Sequence, residues 1–324
     1  MKPKLVCVDE TFLNGASGHH LPLFGQYFDI TNFDEGEKYE PGTTFMYRND
    51  RSRSKLEKYE HSCKFIADGV WEMNFFCNHN FTDNTLGLIN NGFVGHSNVL
   101  AIPKWFWFEE HFSQQDKRKL IKDLPFTHPK TRSFLMQMGD AKVPRIKLYE
   151  RLKNKNLLDN AVYSFLEYGI GLEGPVRNYD PLTPPFPQRA YRPEWYNTSH
   201  FTLVAECFQS GIDLSEDSVS ITEKTMKPIM YGHPFILLGD THSLRILSSW
   251  GFNTFPELFD ESYDEVSNID QRIEMIVNEV ANHKHQSVDD KIVYNFQRFW
   301  DTRLVESMMV EEMIQPILEF ISKK

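Results

Sequence analysis

Phe201-Thr-Leu-Val-Ala-Glu206-Cys207, followed by Ser220-Ile-Thr222-Glu223-Lys224-Thr-Met-Lys-Pro-Ile-Met-Tyr-Gly232-His-Pro-Phe-Ile-Leu-Leu-Gly239, reads as strand, loop, helix and strand. The first strand is apolar and ends in a carboxylate, the helix opens on Thr-Glu-Lys, and the second strand is an apolar run that closes on glycine. This pattern gathers polar groups at the carboxyl ends of parallel strands, where α/β proteins bind ligands. Thr222 is placed to cap the helix, Glu223 falls in its first turn, and Lys224 sets an ammonium beside the amides of the helix N-terminus. Backbone donors, the positive end of the helix dipole and one lysine together suit a phosphate or diphosphate. Pro228, inside the helix, predicts a kink or an early end.

Working outward, Ser133-Phe-Leu-Met-Gln-Met138 reads as a strand, and Pro144 suits the first turn of a following helix whose leucines at 148, 152, 157 and 158 recur near 3.6 residues. Arg145 lies at the start of that helix, in the loop matching the one that carries Lys224. Two cations from neighbouring loops can meet over one pocket and stabilise charge on a departing diphosphate. Glu206 is placed to accept hydrogen bonds from ribose hydroxyls. Residues 161–165 form the next strand, and the proline-rich stretch 181–193 is a lid or a wall. Helices are expected near 244–250 and 271–281, and an amphipathic pattern over 293–321 predicts one or two terminal helices packing back across the chain.

In the N-terminal half, Leu5-Val-Cys-Val8 reads as a buried strand running into Asp9, Glu10 and a loop with His19 and His20. No G-x-G-x-x-G follows it, which weakens a reading as an NAD-dependent enzyme. Apolar segments at 64–67, 86–89 and 98–102 alternate with Gly, Asn and Asp turns, as further strands do. The aromatic run at 105–108 reads as strand–helix core.

At 324 residues the chain exceeds one ordinary core, so two domains are expected. Their boundary is placed in the segment 125–130. The four cysteines include no C-x-x-C pair and read as reduced thiols. With 35 Lys+Arg against 45 Asp+Glu the net charge is −10, which disfavours non-specific attraction to nucleic acid or anionic lipid. Local basic candidates remain at 48–55 and 117–119. No apolar run approaches the roughly 20 residues that span a bilayer, and the N-terminus lacks a signal peptide's apolar length, so a cytoplasmic protein without a membrane span is expected.

The strand ending at Glu206, the Thr222-Glu-Lys224 helix start and the Pro234-Phe-Ile-Leu-Leu-Gly239 strand resemble the donor-binding motif of the α1,3-fucosyltransferases and related GT-B glycosyltransferases, while Gly251-Phe-Asn-Thr-Phe255 followed by Asp260-Glu-Ser-Tyr-Asp264 resembles a related set of viral and bacterial glycosyltransferases more closely. The upstream element carrying Arg145 is similar to that family's Arg-rich helix start. The resemblance covers roughly residues 130 to 280. Cys207 stands where the family has Asn, and Lys227-Pro228 interrupts its apolar helix.

What it implies is an α/β fold of GT-B type: two Rossmann-like domains facing a cleft, an acceptor-side domain at 1–128, a nucleotide-sugar-binding domain at 129–300 and a C-terminal helix at 301–324 crossing back. The implied activity is transfer of a hexose or pentose from a nucleotide diphosphate sugar, with no cofactor and no metal. The diphosphate contacts fall on Arg145, Thr222, Glu223 and Lys224, and the nucleoside contact near Glu206. The absence of any Asp-x-Asp agrees with metal-independent transfer, and the His283/His285 and Cys77/His79 pairs lack further ligands at recognisable spacing. A base is expected from the N-terminal domain among Asp9, Glu10, His19 and His20, with Glu109, Glu110 and His111 as a second cluster. The acceptor is a glycan or a hydroxymethylated base in viral (phage) DNA. The alternative is a non-catalytic carbohydrate- or nucleotide-binding protein of the same fold.

Overall fold

The computed structural model describes residues 2–8, 21–47, 62–68, 99–102, 111, 118, 121–172, 174–176, 193–206, 221–283 and 286–323. The chain is a mixed α/β protein of two compact units, one made of residues 1–113, 212–218 and 301–324, the other of 114–211 and 219–300. The first division between them falls at Ser113/Gln114. Within the second unit the Arg118 guanidinium lies 4.6 Å over the Phe296 ring, and Lys130 donates to the carbonyls of Tyr196 and Asn197.

In the first unit, β1 (Lys4–Cys7), β2 (Asp29–Asn32), β3 (Thr44–Tyr47), β4 (Lys64–Asp68) and β5 (Val99–Ile102) form a sheet in the order β2-β1-β3-β4-β5. Every pairing in it is parallel. This is a doubly wound order, with its reversal between β1 and β3. Leu5, Val6, Phe45 and Ile66 are fully buried in its core, and helix α1 (Leu21–Tyr27) links β1 to β2.

In the second unit, β6 (Arg132–Met138), β7 (Val162–Phe165), β8 (Ile170–Gly171), β9 (Gly174–Pro175), β10 (Ser199–Ala205) and β11 (Phe235–Leu238) form a sheet in the order β11-β10-β6-β7-β8-β9. The four strands β11-β10-β6-β7 are parallel, and β8 and β9 add an antiparallel edge. In chain order these four repeat the winding of the first sheet, with the reversal between β6 and β10. The stacked rings of Phe134 and Phe201, 5.8 Å apart, cross that central pair.

Helix α2 (Val143–Asn154) joins β6 to β7, α3 (Pro193–Thr198) leads into β10, and α4 (Glu223–Tyr231) joins β10 to β11. Then follow α5 (Ser243–Ser249), α6 (Ile269–Ala281) and α7 (Asp289–Trp300). A ladder of Lys147 and Arg151 on Asp270, and of Lys155 on Glu274, ties α2 to α6. Pro228 neither kinks α4 short nor ends it; the helix stops at Gly232, whose φ of 65° suits glycine, with the His233 amide donating to the Pro228 carbonyl.

The pattern over 293–321 is interrupted. Asp301 accepts from the amides of Arg303 and Leu304 and so caps a new helix, α8 (Thr302–Met309), which passes through a π-helical turn (Val310–Ile314) into α9 (Gln315–Ser322). The α9 end is closed by the Lys64 ammonium, 2.9 Å from the carbonyls of both Phe320 and Ile321. Among the described residues no helix is long and apolar enough to cross a membrane.

Candidate functional site

The reversal in the second sheet lies between the carboxyl ends of β6 and β10, and two buried ionisable side chains occupy it. Arg145, in the first turn of α2, is 1% exposed. Its Nη2 donates to the last carbonyl of β10, Ala205, at 2.8 Å, and its Nη1 reaches the Asp140 carbonyl at 3.4 Å. Pro144 fits the start of α2, and Lys142 at its N-cap gives no side-chain cap. A guanidinium keeps its charge when buried, so this end of the sheet carries a permanent cation.

Glu206, the residue after β10, is also 1% exposed. Its Oε1 accepts from the Thr222 amide at 2.9 Å, the Thr225 amide at 3.3 Å and the Thr225 hydroxyl at 2.5 Å. Its Oε2 accepts from the Thr222 hydroxyl at 2.5 Å. Thr222 Oγ1 in turn accepts from the Lys224 amide at 3.4 Å, the N-cap bond expected from the sequence. The protein's own carboxylate therefore holds amides at the start of α4 that the sequence reading assigns to a bound anion. The oxygens expected to meet a ribose are turned onto Thr222 and Thr225.

Lys224 and Glu223 form a pair at 2.7 Å, with side-chain exposures of 24% and 15%, and Lys224 Nζ also reaches Thr222 Oγ1 at 3.2 Å. Burial works against ionisation of Glu223, but the ammonium of Lys224, with Lys227 behind it, outweighs burial and holds the carboxyl at about 2. Thr222, Glu223, Lys224 and Glu206 thus form one connected group. Arg145 joins it through the backbone, since Ala205 precedes Glu206. Of the two cations Lys224 is the one with solvent access, its side chain 24% exposed where Arg145 is 1% exposed.

Beside this group, at the end of β11, lies a second cluster that the sequence reading did not assemble. Arg272 donates to the carbonyls of Gly239 and Val266 and to the Thr241 hydroxyl. Asp264 accepts from the amides of Leu244 and Arg245 and so caps α5, and the His242 amide donates to the Asp264 carbonyl at 2.8 Å. His242 holds a φ of 67°. Burial raises the Asp264 carboxyl above its usual range, opposed by those amides and by Arg272. The signal in the sequence was Gly239-Asp-Thr-His242, polar residues directly after a buried strand.

Asp9, Glu10, His19, His20, Glu109, Glu110, His285, Cys77 and His79 lie outside the described residues, as do the basic stretch 48–55 and Lys117 and Lys119. His111 is described: it is fully buried, with Nε2 3.3 Å from Thr302 Oγ1.

The sequence matches no protein-family model and no curated protein. Among solved structures it is similar to a crystal structure of an α1,3-fucosyltransferase with GDP-fucose, at 10% sequence identity and a TM-score of 0.42, over 93% of this chain and 91% of that one.

Proposed function

We propose that this chain is a metal-independent glycosyltransferase of GT-B type that moves a sugar from a nucleotide diphosphate sugar to an acceptor hydroxyl. The observation that carries the reading is a buried Arg145 at the point where the strand order reverses, with Lys224 on the first turn of the adjoining helix. In the reaction the bond from the anomeric carbon to the diphosphate oxygen breaks, and a bond from that carbon to the acceptor oxygen forms. The acceptor proton passes to a base, for which Asp9, His19 and His20 are the candidates. Charge accumulates on the leaving diphosphate, where a fixed guanidinium and a reachable ammonium act on it in a partly dehydrated setting. Lys224 turns from Glu223 to the diphosphate as donor binds, with Thr222 keeping the first turn in register. A nucleoside contact at Glu206 is not carried forward, because its oxygens accept from Thr222 and Thr225; its role is to position α4.

A net charge of −10 favours a glycan over DNA as acceptor. The test is thermal unfolding against GDP, UDP, CDP and TDP and their sugars. A ligand at 100 times its Kd stabilises by about 2.7 kcal/mol. One nucleotide series is expected to raise the unfolding temperature, with Lys224→Ala and Arg145→Lys blunting the rise. No response to any nucleotide diphosphate overturns the reading. Release of nucleotide from the donor without acceptor separates an enzyme from a binding protein, which releases none above background. Retardation of duplex DNA that weakens steeply with salt would move the acceptor from glycan to DNA.

A further inference from the structure

We propose that His242, Asp264 and Glu265 form a binding site for one divalent transition-metal ion, separate from the group that meets the diphosphate. One donor atom from each of the three lies within 4.8 Å of the other two. The imidazole is 8% exposed, and its Nδ1 is shielded from solvent and makes no hydrogen bond. Yet that nitrogen stands 3.1 Å from Glu265 Oε2. The distance is short enough for a hydrogen bond, so the missing bond reflects direction: the two atoms lie side by side instead of pointing at each other. Two ligands at about 2.1 Å from one ion stand roughly 3.0 to 3.4 Å apart, so this spacing matches the edge of a coordination shell.

The surroundings fit a built site. Asp264 is 6% exposed, and the amides of Leu244 and Arg245 fix its Oδ2, so the carboxylate is oriented before any ion arrives. The His242 amide braces the same residue from behind by donating to the Asp264 carbonyl. Glu265, with a side-chain exposure of 64%, gives an entry path and leaves coordination positions to water. Burial penalises the charged Asp264, and a cation would relieve that cost. Arg272, which also faces Asp264, spends its donors on Gly239, Val266 and Thr241 and tempers the affinity without filling the site. One imidazole with two carboxylates suits Zn²⁺ or Co²⁺ better than a hard ion such as Ca²⁺ or Mg²⁺. The ion would tie the start of α5 to the turn at 261–265, a structural role at the ligand-binding edge of the sheet.

The experiment is calorimetric titration of Zn²⁺ into the chelator-stripped full chain, with thermal unfolding in parallel and Co²⁺ absorption as a second probe. One Zn²⁺ per chain and a raised unfolding temperature are expected, with no response to Ca²⁺ or Mg²⁺. Glu265→Ala, at an exposed position, is expected to fold and to weaken Zn²⁺ at least tenfold; His242→Asn, which tolerates the left-handed backbone, is expected to abolish binding. Absence of Zn²⁺ binding by the wild type overturns the proposal and leaves a plain imidazole–carboxylate pair. Unchanged binding in Glu265→Ala also overturns it, by placing the ion elsewhere. The nucleotide thermal shifts are read separately, so failure here leaves the glycosyltransferase reading standing and the converse holds too.

Discussion

The two ends of β10 bury polar groups to similar depth and use them in opposite ways. At the amino end, His233 is 2% exposed and sits between Thr202 Oγ1 at 2.8 Å and the Ser199 carbonyl at 2.9 Å. Burial drives its pKa down to about 3, so it is a neutral strut at ordinary pH. Lys130 beside it is pulled down to about 8 by burial and spends its donors on the carbonyls of Pro125, Tyr196 and Asn197. At the carboxyl end the buried groups are Glu206 and Arg145, and the chain adds a partly exposed ion pair, Lys224–Glu223, and a His–Asp–Glu cluster of which Glu265 is exposed. One end is closed by backbone carbonyls; the other backs its buried Arg145 and Glu206 with charges that solvent reaches, at Lys224 and Glu265.

The largest effect that bears on this contrast is expected from Glu206→Ala. It removes the acceptor for two amides and two hydroxyls at the start of α4, deep in the sheet edge. Each of these buried donors that finds no other acceptor costs about 1 to 3 kcal/mol. Urea unfolding measures it. A loss under about 1 kcal/mol would mean that the carboxylate is not what holds the helix, and would return Glu206 to the ligand.

The amino end is sharpened by pH. His233 has a folded pKa of about 3 against a model-peptide value of 6.5, so the unfolded chain binds more protons between those values. Stability from this residue is therefore complete above 6.5 and falls as pH drops toward 3, by up to about 1.4 kcal/mol per pH unit. His233→Gln is expected to lose about 2 kcal/mol at pH 7 by leaving its partners poorly matched, and to flatten that slope. An unchanged slope would show that the ring is not buried neutral.

Thr222→Ala is smaller. It loses the N-cap and one hydrogen bond to Glu206, about 1 to 2 kcal/mol together, and Thr222→Ser is expected to restore most of it. Equal losses in both variants would indicate that the methyl group, not the hydroxyl, matters there.

Much of this contrast could be read from the letters alone at one end and hardly at all at the other. The strand–helix–strand around Thr222 was legible because apolar runs of two kinds flank a good N-cap. Arg145 was legible as a cation at a helix start. The bond from Glu206 to Thr222 was not, because it spans 16 residues, and no local pattern marks which carboxylate will fold back on which helix. Nothing in the letters singles out His233, and only the pairing of β10 with β11 brings Thr202 and Ser199 to it. Strands β2 and β3 escaped notice because Asp29-Ile-Thr-Asn32 and Thr44-Phe-Met-Tyr47 are four-residue strands whose fit depends on neighbours. The amphipathic period over 293–321 is broken at Asp301, whose carboxylate accepts from the amides of Arg303 and Leu304 and starts a new helix.

Lys224→Ala is expected to cost the least in stability and the most in ligand affinity, which makes it the sharpest probe of the open end. The Lys224–Glu223 pair is partly exposed, so its loss costs about 1 kcal/mol at pH 7. Donor nucleotide is expected to bind about tenfold more weakly, equivalent to about 1.4 kcal/mol. The acid limb of the stability curve supplies an independent check. Glu223 is held at about 2 in the folded chain against 4.5 unfolded, so its contribution is present above 4.5 and is lost as pH falls toward 2. Without the ammonium, burial is left opposed only by weaker influences, the folded pKa rises, and less stability remains to be lost across that window. Lys224→Ala would then run closer to parallel with a Glu223→Gln variant below pH 4.5, while only the lysine variant loses nucleotide affinity through missing positive charge. If Lys224→Ala left nucleotide binding intact but still altered the acid limb, Lys224 would belong with Lys130 as a structural cation, and the distinction between the two ends of β10 would collapse.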